Sequence, residues 1–288
     1  MGGPSSEHNV SKKTGIGVAS ACRSIGYNVE EFFFTNNYKK LLRDLKNSDI
    51  VFNALHGGIG ENGEIQKWMG ENDIKFTGSG SKASKLCMDK SASKKFVQEQ
   101  GLKTLAWQIL SQKDKSPKMD VPFVVKPNDQ GSTLGLTIVK SKDDIESAIQ
   151  KAFKFSSTVI LEKYLRGKEL TVTILGGKAY PIVEIIPANE YYDYECKYMP
   201  GMSDYLCPAQ ISDEIKNQIQ FDTKNIFNSM GCEVYARADY IMNKFGEYYF
   251  LEMNTLPGLT STSLVPMAVS SAGISYTELI KKIIETSL

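Results

Sequence analysis

The chain has 288 residues, of which 34 are basic and 33 acidic, so its net charge is +1. This balance gives no reason to expect a nucleic acid or an anionic membrane surface as the partner. No apolar run approaches the length of a membrane span and no signal peptide opens the sequence, which predicts a cytoplasmic protein. A chain of this length is expected to form two or three subdomains.

The first third of the sequence alternates predicted helices and strands after an opening glycine loop that contains Glu7. These elements follow in the order helix, strand, helix, strand, helix, at 11–25, 29–34, 38–45, 49–55 and 64–72. Such alternation is typical of a doubly wound α/β domain with a parallel sheet, in which ligands bind at the carboxyl ends of the strands. His56 lies at such an end, so a ligand-binding role and a structural role are weighed equally.

A β-rich unit follows one long helix, which the pattern predicts over 84–100. Its strand at 121–126 ends with Lys126 and leads into a loop at 127–135 that contains glycine and hydroxyl residues. The N–H groups of such a loop can lie over phosphates, and a lysine can meet the charge of those phosphates. A plain hairpin loop explains the same residues equally well, so both interpretations stay open.

The strand predicted at 158–165 is apolar and becomes polar at its end. There Leu165 can hold a nucleotide base, and the neighbouring backbone groups can read the edge of that base. Glu169 can accept hydrogen bonds from ribose hydroxyls. A later polar and aromatic segment contains Lys197 and Tyr198, and its length and composition are typical of a lid.

The hairpin predicted near the C-terminus carries a metal-binding pattern. Strands at 233–242 and 248–254 are predicted to pair across a short turn, and a loop at 244–247 places Asp239 opposite Glu252. The two-residue period of a strand sends Glu252 and Asn254 to the same face. Two carboxylates and an amide oxygen, with no His or Cys among them, suit a hard cation such as Mg²⁺. Acids on the solvated face of an ordinary hairpin are the structural alternative.

An anion site is predicted directly after this hairpin. Gly258 can bring a backbone N–H close to a ligand, because no side chain intervenes. Ser263 ends a run of hydroxyl residues, and a helix is predicted to begin at Leu264. The first N–H groups of a helix favour an anion such as a carboxylate.

Short motifs follow one another along essentially the whole chain. They read Gly-Gly-x-Ser-x-Glu, Leu-His-Gly, Met-Asp-Lys, Val-Lys-Pro with Gly-Ser-Thr-x-Gly, Glu-Lys-Tyr-Leu, Tyr-Asp-Tyr-Glu-x-Lys-Tyr, Arg-x-Asp and Glu-x-Asn-Thr-x-Pro-Gly-x-Thr-x-x-Ser. Each motif alone is weakly specific, but their number, order and spacing resemble the D-alanine–D-alanine ligase family of the ATP-grasp superfamily. The resemblance implies an α/β (α+β) chain with an ATP-grasp fold and with domains at 1–88, 89–168 and 169–288.

The resemblance implies that ATP phosphorylates the carboxylate of one D-alanine and that the amine of a second D-alanine attacks the acyl phosphate. The product, D-alanyl-D-alanine, serves peptidoglycan precursor synthesis. Mg²⁺ is the implied metal, as two ions, with Mn²⁺ as a substitute. D-alanine and ATP are the implied partners, and a homodimer is a further option. Two alternatives stay open: a ligase with another acceptor such as D-lactate, and a nucleotide-binding module without catalysis.

The resemblance also implies roles for individual residues. Catalytic roles are implied for Glu7, Ser132, Arg237, Gly258 and Ser263. Contacts with D-alanine are implied for His56, Tyr198 and Leu264. Contacts with ATP are implied for Lys90, Lys126, Glu162, Lys163, Leu165, Glu169 and Lys197. Metal ligation is implied for Asp239, Glu252 and Asn254.

The sequence departs from the family pattern at two places near its start. Asn9 stands where the family usually has a second acid, and only Met1 precedes the glycine loop where the family has an apolar strand. We therefore expect the natural polypeptide to start upstream of Met1 with a short apolar strand. Without that strand, the doubly wound domain is expected to be loosened, with a mobile Glu7 loop and weak D-alanine binding, unless flanking strands close up or a partner chain fills the gap.

Overall fold

The computed structural model describes residues 1–114, 117–189, 199 and 201–288. The described α-helices are α1 (His8–Ser24), α2 (Tyr38–Leu45), α3 (Glu64–Glu71), α4 (Ser81–Met88), α5 (Lys90–Glu99), α6 (Ile145–Phe153), α7 (Asp213–Ser229), α8 (Leu264–Ser271) and α9 (Tyr276–Ser287). The strands are β1 (Trp107–Ser111), β2 (Phe123–Pro127), β3 (Thr137–Val139), β4 (Thr158–Lys163), β5 (Lys168–Leu175), β6 (Lys178–Ala179), β7 (Val183–Pro187), β8 (Ser203–Leu206), β9 (Tyr235–Met242) and β10 (Tyr248–Asn254). Within the described residues, none of the helices combines the length and the apolar character that crossing a bilayer requires.

The N-terminal region alternates helices with extended segments, but the expected parallel sheet is reduced to isolated bridges. Gly2 pairs in parallel with Phe34, and Val51 pairs in parallel with Phe76. The parallel direction agrees with the doubly wound prediction. The two strands predicted for this region are nevertheless wrong in extent, because each segment is paired at a single position.

A cavity of about 490 Å³ lies beside these short pairings. Met1 lines it together with α1 and the two extended segments. The backbone groups of Glu30, Ile50 and Phe52 also line it and make no hydrogen bond to any residue that the structure describes. The two segments therefore face each other across a gap, which is the physical reason that no continuous sheet forms.

The single helix predicted over 84–100 is wrong, because the chain breaks it at Asp89 into α4 and α5. The backbone of Asp89 is extended, with φ −78° and ψ 101°. Its side chain accepts a hydrogen bond from the N–H of Ala92 at 2.9 Å, which makes Asp89 the N-cap of α5. An N-cap aspartate satisfies a helix N–H group that has no partner inside the helix.

The central region forms a four-stranded antiparallel sheet in the order β1-β4-β2-β3. Helix α6 covers one face, where Ala148 and Ala152 pack among the buried side chains of Val125 and Leu161. The small alanine side chains let the helix approach the sheet closely. The region therefore has its own apolar core, although the domain boundaries at 1–88, 89–168 and 169–288 stay a prediction.

The C-terminal region forms a larger antiparallel sheet in the order β10-β9-β5-β7-β8, with β6 paired to β5. Side chains alternate between its faces because the strand period is two residues. Ala238 and Tyr240 of β9 pack with Ile219 of α7 in one core cluster. Asp239 lies between them in sequence and therefore points to the opposite face.

The pairing of β9 with β10 confirms that Asp239 lies opposite Glu252, but the register next to the turn differs from the prediction by one residue, since Tyr248 pairs with Met242 and not with Asn243. Glu252 lies opposite Asp239, and Asn254 lies opposite Arg237. An irregularity in the ladder, of the β-bulge type, occurs between Phe250 and Glu252. Bulges bend a strand and change the direction of the side chains that follow. The hairpin thus presents its polar side chains on one face near the end of β10.

The cavity at the N-terminal bridges leads to a prediction about stability. Adding a segment of about five apolar residues upstream of Met1 should raise Tm, because it would cover apolar side chains that line the cavity and pair with the backbone of the partly exposed residues Ile50 and Phe52. A Gly-Ser extension of equal length is the control and should leave Tm unchanged. Thermal melting of the two extended chains and of the 288-residue chain measures the effect. Equal Tm values for all three chains would contradict the prediction.

Candidate active site

A second cavity, of about 170 Å³, opens between the two antiparallel sheets. The sequence-predicted site residues that line it are Lys90, Lys126, Ser132, Glu162, Leu165, Glu169, Asp239 and Glu252. Apolar walls are supplied by Leu105, Val124, Leu136, Ile138, Leu170, Ile185, Ile241 and Leu251. Apolar walls with a few convergent charged groups are typical of a small-molecule site.

The two carboxylates of the hairpin lie side by side at this cavity. Asp239 and Glu252 occupy directly paired positions on β9 and β10, and Asn254 follows two residues later. Paired side chains of an antiparallel sheet have Cβ atoms about 4.5–5.5 Å apart. The three oxygen-bearing side chains fit a Mg²⁺ site because hard cations prefer carboxylate and amide oxygens. The described residues hold no cluster of three or more His, Cys, Asp or Glu side chains that could bind a metal. The candidate set therefore combines only two carboxylates with the amide oxygen of Asn254.

Each of these carboxylates is held by a protein cation. Arg237 donates to Asp239 from Nε at 2.9 Å and from Nη2 at 2.8 Å, a bidentate arrangement. Lys90 Nζ lies 3.1 Å from Glu252 Oε2 and donates to the carbonyl of Gln130 at 2.7 Å. Lys90 therefore links β10, which carries two of the candidate metal ligands, to the glycine loop after β2. These ion pairs balance two like charges that would otherwise repel each other.

Lys126 and Glu162 form the buried end of the cavity. Lys126 Nζ donates to Glu162 Oε2 at 2.8 Å, and Lys94 forms an ion pair with the other oxygen of the same carboxylate. Burial opposes the charge of Glu162, but the two lysines hold its pKa below the usual value. Burial lowers the pKa of Lys94 to about 8, against the pull of Glu162. The pKa of Lys126 is raised, because its attraction to Glu162 and Glu252 outweighs its own burial.

The sequence reasoning missed Lys94. Lys94 follows Lys90 by four residues on α5, which places both on the same side of the helix. That spacing is a signal in the sequence, although it does not distinguish a buried lysine from an exposed one. Its neighbour Lys95 is exposed, whereas Lys94 is fully buried.

The start of α5 is fixed to the end of β2 by Asp89 and Asn128, which the sequence reasoning also missed as positioning residues. Asn128 donates to Asp89 Oδ1 at 2.9 Å and accepts from the N–H of Ser91 at 2.9 Å. The N–H of Lys90 donates to the carbonyl of Asn128 at 3.0 Å. Partial burial raises the pKa of Asp89, but hydrogen bonds from the N–H of Ala92, the hydroxyl of Ser91 and the amide of Asn128 together lower it by more, so the net shift is downward. The N-cap aspartate in Met-Asp-Lys-Ser was the available sequence signal.

The base-binding residues predicted after β4 divide into two groups. Leu165 and Glu169 line the cavity. Lys163 lies outside the lining with an exposed side chain, and its N–H donates to the carbonyl of Ala106 at 2.8 Å. The N–H of Lys163 is therefore engaged in the sheet and does not face a ligand.

The side chain of Glu7, in the N-terminal glycine loop, lies against the loop after β2. A Cβ atom on Gly131 would lie 3.3 Å from Glu7 Oε1, and one on Gly57 would lie 3.1 Å from the same oxygen. Both backbones approach the carboxylate because they carry no side chain. Ser132 follows Gly131 and lines the cavity with φ +51°, a left-handed conformation that is uncommon outside glycine. Glu7 is thus placed at the edge of the cavity.

His56 is buried near Glu7 in a polar cluster. Its Nε2 lies 2.9 Å from the hydroxyl of Thr14, and its Nδ1 lies 3.5 Å from Glu61 Oε1. Its carbonyl accepts from the hydroxyl of Ser5, in the same loop as Glu7. Glu61 is buried and was not singled out from the sequence; a carboxylate after the loop Gly-Gly-Ile-Gly was the available signal. The cluster places negative charge beside the first-substrate loop.

Gly258 and Ser263 meet in the loop before α8. A Cβ atom on Gly258 would lie 2.9 Å from Ser263 Oγ, so any larger residue at 258 would displace that hydroxyl. Ser263 is the N-cap of α8, but its hydroxyl interacts with Thr260 at 2.8 Å and 3.0 Å and does not cap the helix. The first N–H groups of α8, including that of Leu264, are left without a side-chain cap. They are oriented as donors for an anion.

Lys197 and Tyr198, which were predicted to contact ATP and D-alanine, lie outside the described residues. Most of the other predicted residues, Lys163 excepted, converge from different parts of the chain. The N-terminal loops supply carboxylates, α5 and β2 supply lysines, both antiparallel sheets supply apolar walls, and the β9–β10 hairpin supplies the candidate metal ligands. This arrangement can bind a nucleoside triphosphate, a divalent cation and an amino acid close together.

Comparison with known proteins shows the family. A family model described as "D-ala D-ala ligase C-terminus" matches residues 96–285. The D-alanine–D-alanine ligase of Methylacidiphilum infernorum is 38% identical over 286 residues, which are 99% of this chain and 93% of that protein. The corresponding ligase of Pelotomaculum thermopropionicum is 38% identical and covers 100% of this chain and 95% of its own length.

Solved structures agree with the sequence comparison. The D-alanine–D-alanine ligase of Bacillus anthracis complexed with ATP has a TM-score of 0.88 and 33% identity, over 100% of this chain and 95% of that one. A second structure of the Bacillus anthracis ligase has a TM-score of 0.90 and 36% identity with the same coverage. The fold is therefore that of an ATP-grasp enzyme, as predicted. The chain belongs to the D-alanine–D-alanine ligase family.

Proposed function

We propose that this chain joins two D-alanine molecules at the cavity between its antiparallel sheets, with ATP as the phosphoryl donor. The observation that carries the proposal is the contact of Lys90 with Glu252 at 3.1 Å and with the Gln130 carbonyl at 2.7 Å. This lysine lies where the glycine loop meets the metal-binding hairpin. A phosphate there is within reach of a fixed positive charge and of a bound cation.

The ATP site follows from the cavity lining. The apolar walls around Leu165 receive the base, and Glu169 accepts from the ribose hydroxyls. Lys90 and Lys126 meet the charge of the phosphates, while the loop that carries Ser132 covers them with N–H groups. Lys197 adds a further positive charge in this proposal.

The cation site consists of Asp239, Glu252 and Asn254. Their oxygens suit Mg²⁺, as one or two ions, because small divalent cations bind to carboxylates together with substrate phosphates. When bound, the metal neutralises charge that develops on the transferred phosphoryl group. Arg237 and Lys90, which hold the two carboxylates in the structure, are then available to face the substrates.

The first D-alanine is placed beside the N-terminal loops. The carboxylate of Glu7 binds its ammonium group. The buried Glu61, whose carboxylate lies beside His56, adds negative charge nearby. Ser132 and Tyr198 complete this part of the site. Holding the ammonium group here directs the carboxylate of the substrate towards the phosphates, where a carboxylate oxygen attacks the terminal phosphorus of ATP. The bond from that phosphorus to the bridging oxygen breaks, and ADP leaves.

The second half-reaction takes place between Arg237 and the loop before α8. The amine of the second D-alanine attacks the acyl carbon, the bond from that carbon to phosphate breaks, and the amine loses a proton. Arg237 and the N–H of Gly258 stabilise the oxyanion, an effect of order 10²–10³ in rate for a single donor. Ser263 and the uncapped N–H groups that begin with Leu264 bind the carboxylate of the second D-alanine.

The dipeptide product serves peptidoglycan precursors in this proposal, and the need for ATP favours a cytoplasmic reaction. A homodimer stays a prediction. Phosphate release in the presence of D-alanine, ATP and Mg²⁺, with each component omitted in turn, tests the function. Full release without D-alanine would identify an ATPase of another kind and would contradict the proposal.

The metal assignment predicts that Glu252→Gln nearly abolishes turnover while the fold survives. The amide keeps the shape of the side chain but removes one negative charge from the cation site. Steady-state phosphate release at saturating Mg²⁺, together with Tm, measures the two effects. Glu247→Gln in the turn of the same hairpin is the control, because its ion pair with Lys103 is exposed to solvent and contributes little to stability. Near-normal turnover of Glu252→Gln would remove Glu252 from the metal site.

The acceptor assignment predicts that Tyr198→Phe gains ligation of D-lactate at lower pH. The reason is that the tyrosine hydroxyl, if bound by Ser132 and Glu7, closes the site and favours an amine over a hydroxyl acceptor. Product analysis by mass spectrometry distinguishes the ester from the dipeptide. Tyr192→Phe, in the same polar segment, is the control and should form dipeptide alone. Absence of ester from Tyr198→Phe at every pH would show that the hydroxyl does not set acceptor specificity.

A further inference from the structure

Lys94 is a fully buried lysine to which the proposed reaction gives no role. Its Nζ donates to the carbonyl of Phe250 at 3.1 Å and forms an ion pair with Glu162. The side chain joins three elements, since α5 carries it while β10 and β4 supply its partners. Burying an ammonium group is costly in free energy even when it is paired and hydrogen-bonded. A lysine buried at this position therefore needs a gain for the site that offsets this cost.

The charge balance around Glu162 indicates what that gain is. Glu162 accepts Lys94 on one oxygen and Lys126 on the other, the latter at 2.8 Å. Two ammonium groups and one carboxylate leave a net charge of +1 on the three side chains. Without Lys94, Glu162 and Lys126 would form a neutral pair, and the positive charge of Lys126 would be cancelled by the protein. With Lys94 present, part of that charge stays directed into the cavity, which Lys126 lines.

The bond to Phe250 adds a second link to the same site. Phe250 borders the irregularity in the β9–β10 ladder, two residues before the candidate metal ligand Glu252. A hydrogen bond to its carbonyl fixes the backbone where the strand bends. Lys94 therefore connects the carboxylate at the lysine end of the cavity with the strand that carries the metal ligand.

We propose that Lys94 is a positioning residue for ATP: it compensates Glu162 so that Lys126 keeps a net positive charge towards the phosphates. Lys94 does not line the cavity and acts through Glu162, Lys126 and the Phe250 carbonyl. The inference rests on the proposed ATP site.

Substitution of Lys94 by methionine tests the inference, since methionine has a similar length and no charge. We expect Lys94→Met to weaken ATP binding about tenfold, the size expected for loss of one charge-assisted interaction. Calorimetric titration with ATP and Mg²⁺ in the absence of D-alanine measures that binding without turnover. The KM for D-alanine should change less than about twofold, because the first-substrate loops do not contact Lys94.

Lys95→Met is the matched control on the same helix. Lys95 is the next residue and is exposed, so its substitution removes one positive charge without changing the pairing of Glu162. ATP binding by this variant should equal that of the unchanged chain. If Lys94→Met does not fold, Lys94→Gln takes its place, because the amide keeps a donor for the Phe250 carbonyl and removes only the charge.

A double-mutant comparison distinguishes charge compensation from a structural role. In the Glu162→Gln background no carboxylate needs compensation, so adding Lys94→Met should weaken ATP binding by less than about twofold. An equal loss in both backgrounds would overturn the inference. Unchanged ATP binding by Lys94→Met, or equal losses for ATP and D-alanine, would also overturn it. If the unchanged chain itself binds no ATP, the proposed function fails instead, so the two failures are distinguishable.

Discussion

The register of the β9–β10 hairpin is the constraint on which the chemistry of the site depends. Direct pairing of Asp239 with Glu252 brings two negative charges together at the cavity. Like charges on paired strand positions are destabilising unless cations balance them. Arg237 and Lys90 supply that balance in the structure, and a divalent cation with bound phosphates provides an alternative partner in the proposed reaction. The same residues can therefore stabilise the fold and serve the substrates.

Charge balance also governs the buried end of the cavity, which Lys126 and Glu162 form and where less solvent is present. Glu162 and Lys94 are almost or fully inaccessible to solvent, where an uncompensated charge is far more costly than at the surface. Because the one carboxylate pairs with two lysines, each of the three buried charged groups has a partner of opposite charge, which offsets the cost of burial. It also leaves an excess of positive charge at the point where phosphates are proposed to bind. The excess of positive charge at this end of the cavity is thus in place before any ligand enters.

Glycine positions decide how closely the catalytic groups approach one another. Glu7 lies against Gly57 and Gly131, and Ser263 lies against Gly258. A Cβ atom on Gly57 or Gly131 would lie 3.1 or 3.3 Å from Glu7 Oε1, and one on Gly258 would lie 2.9 Å from Ser263 Oγ. The N-terminal loops reach the cavity only because these backbones have no side chains. The weakly paired N-terminal region and the sheets therefore meet at glycine contacts, which join the loop that carries Glu7 to the loop after β2.

Features that depend on neighbouring residues were determined by the sequence itself. Strand β10 and helix α2 have the predicted bounds, because side-chain alternation and helix signals are local properties. The pairing of Asp239 with Glu252 depends in addition on the irregularity between Phe250 and Glu252, because the register at the turn alone would place Leu251 opposite Asp239. Other features depended on partners distant in the chain. The strands of the N-terminal region are reduced to bridges because a strand needs a neighbour along its whole edge. The burial of Lys94, in contrast with Lys95, came from the packing of α5 against β4 and β10, since helical periodicity orients a side chain but does not specify what lies opposite it.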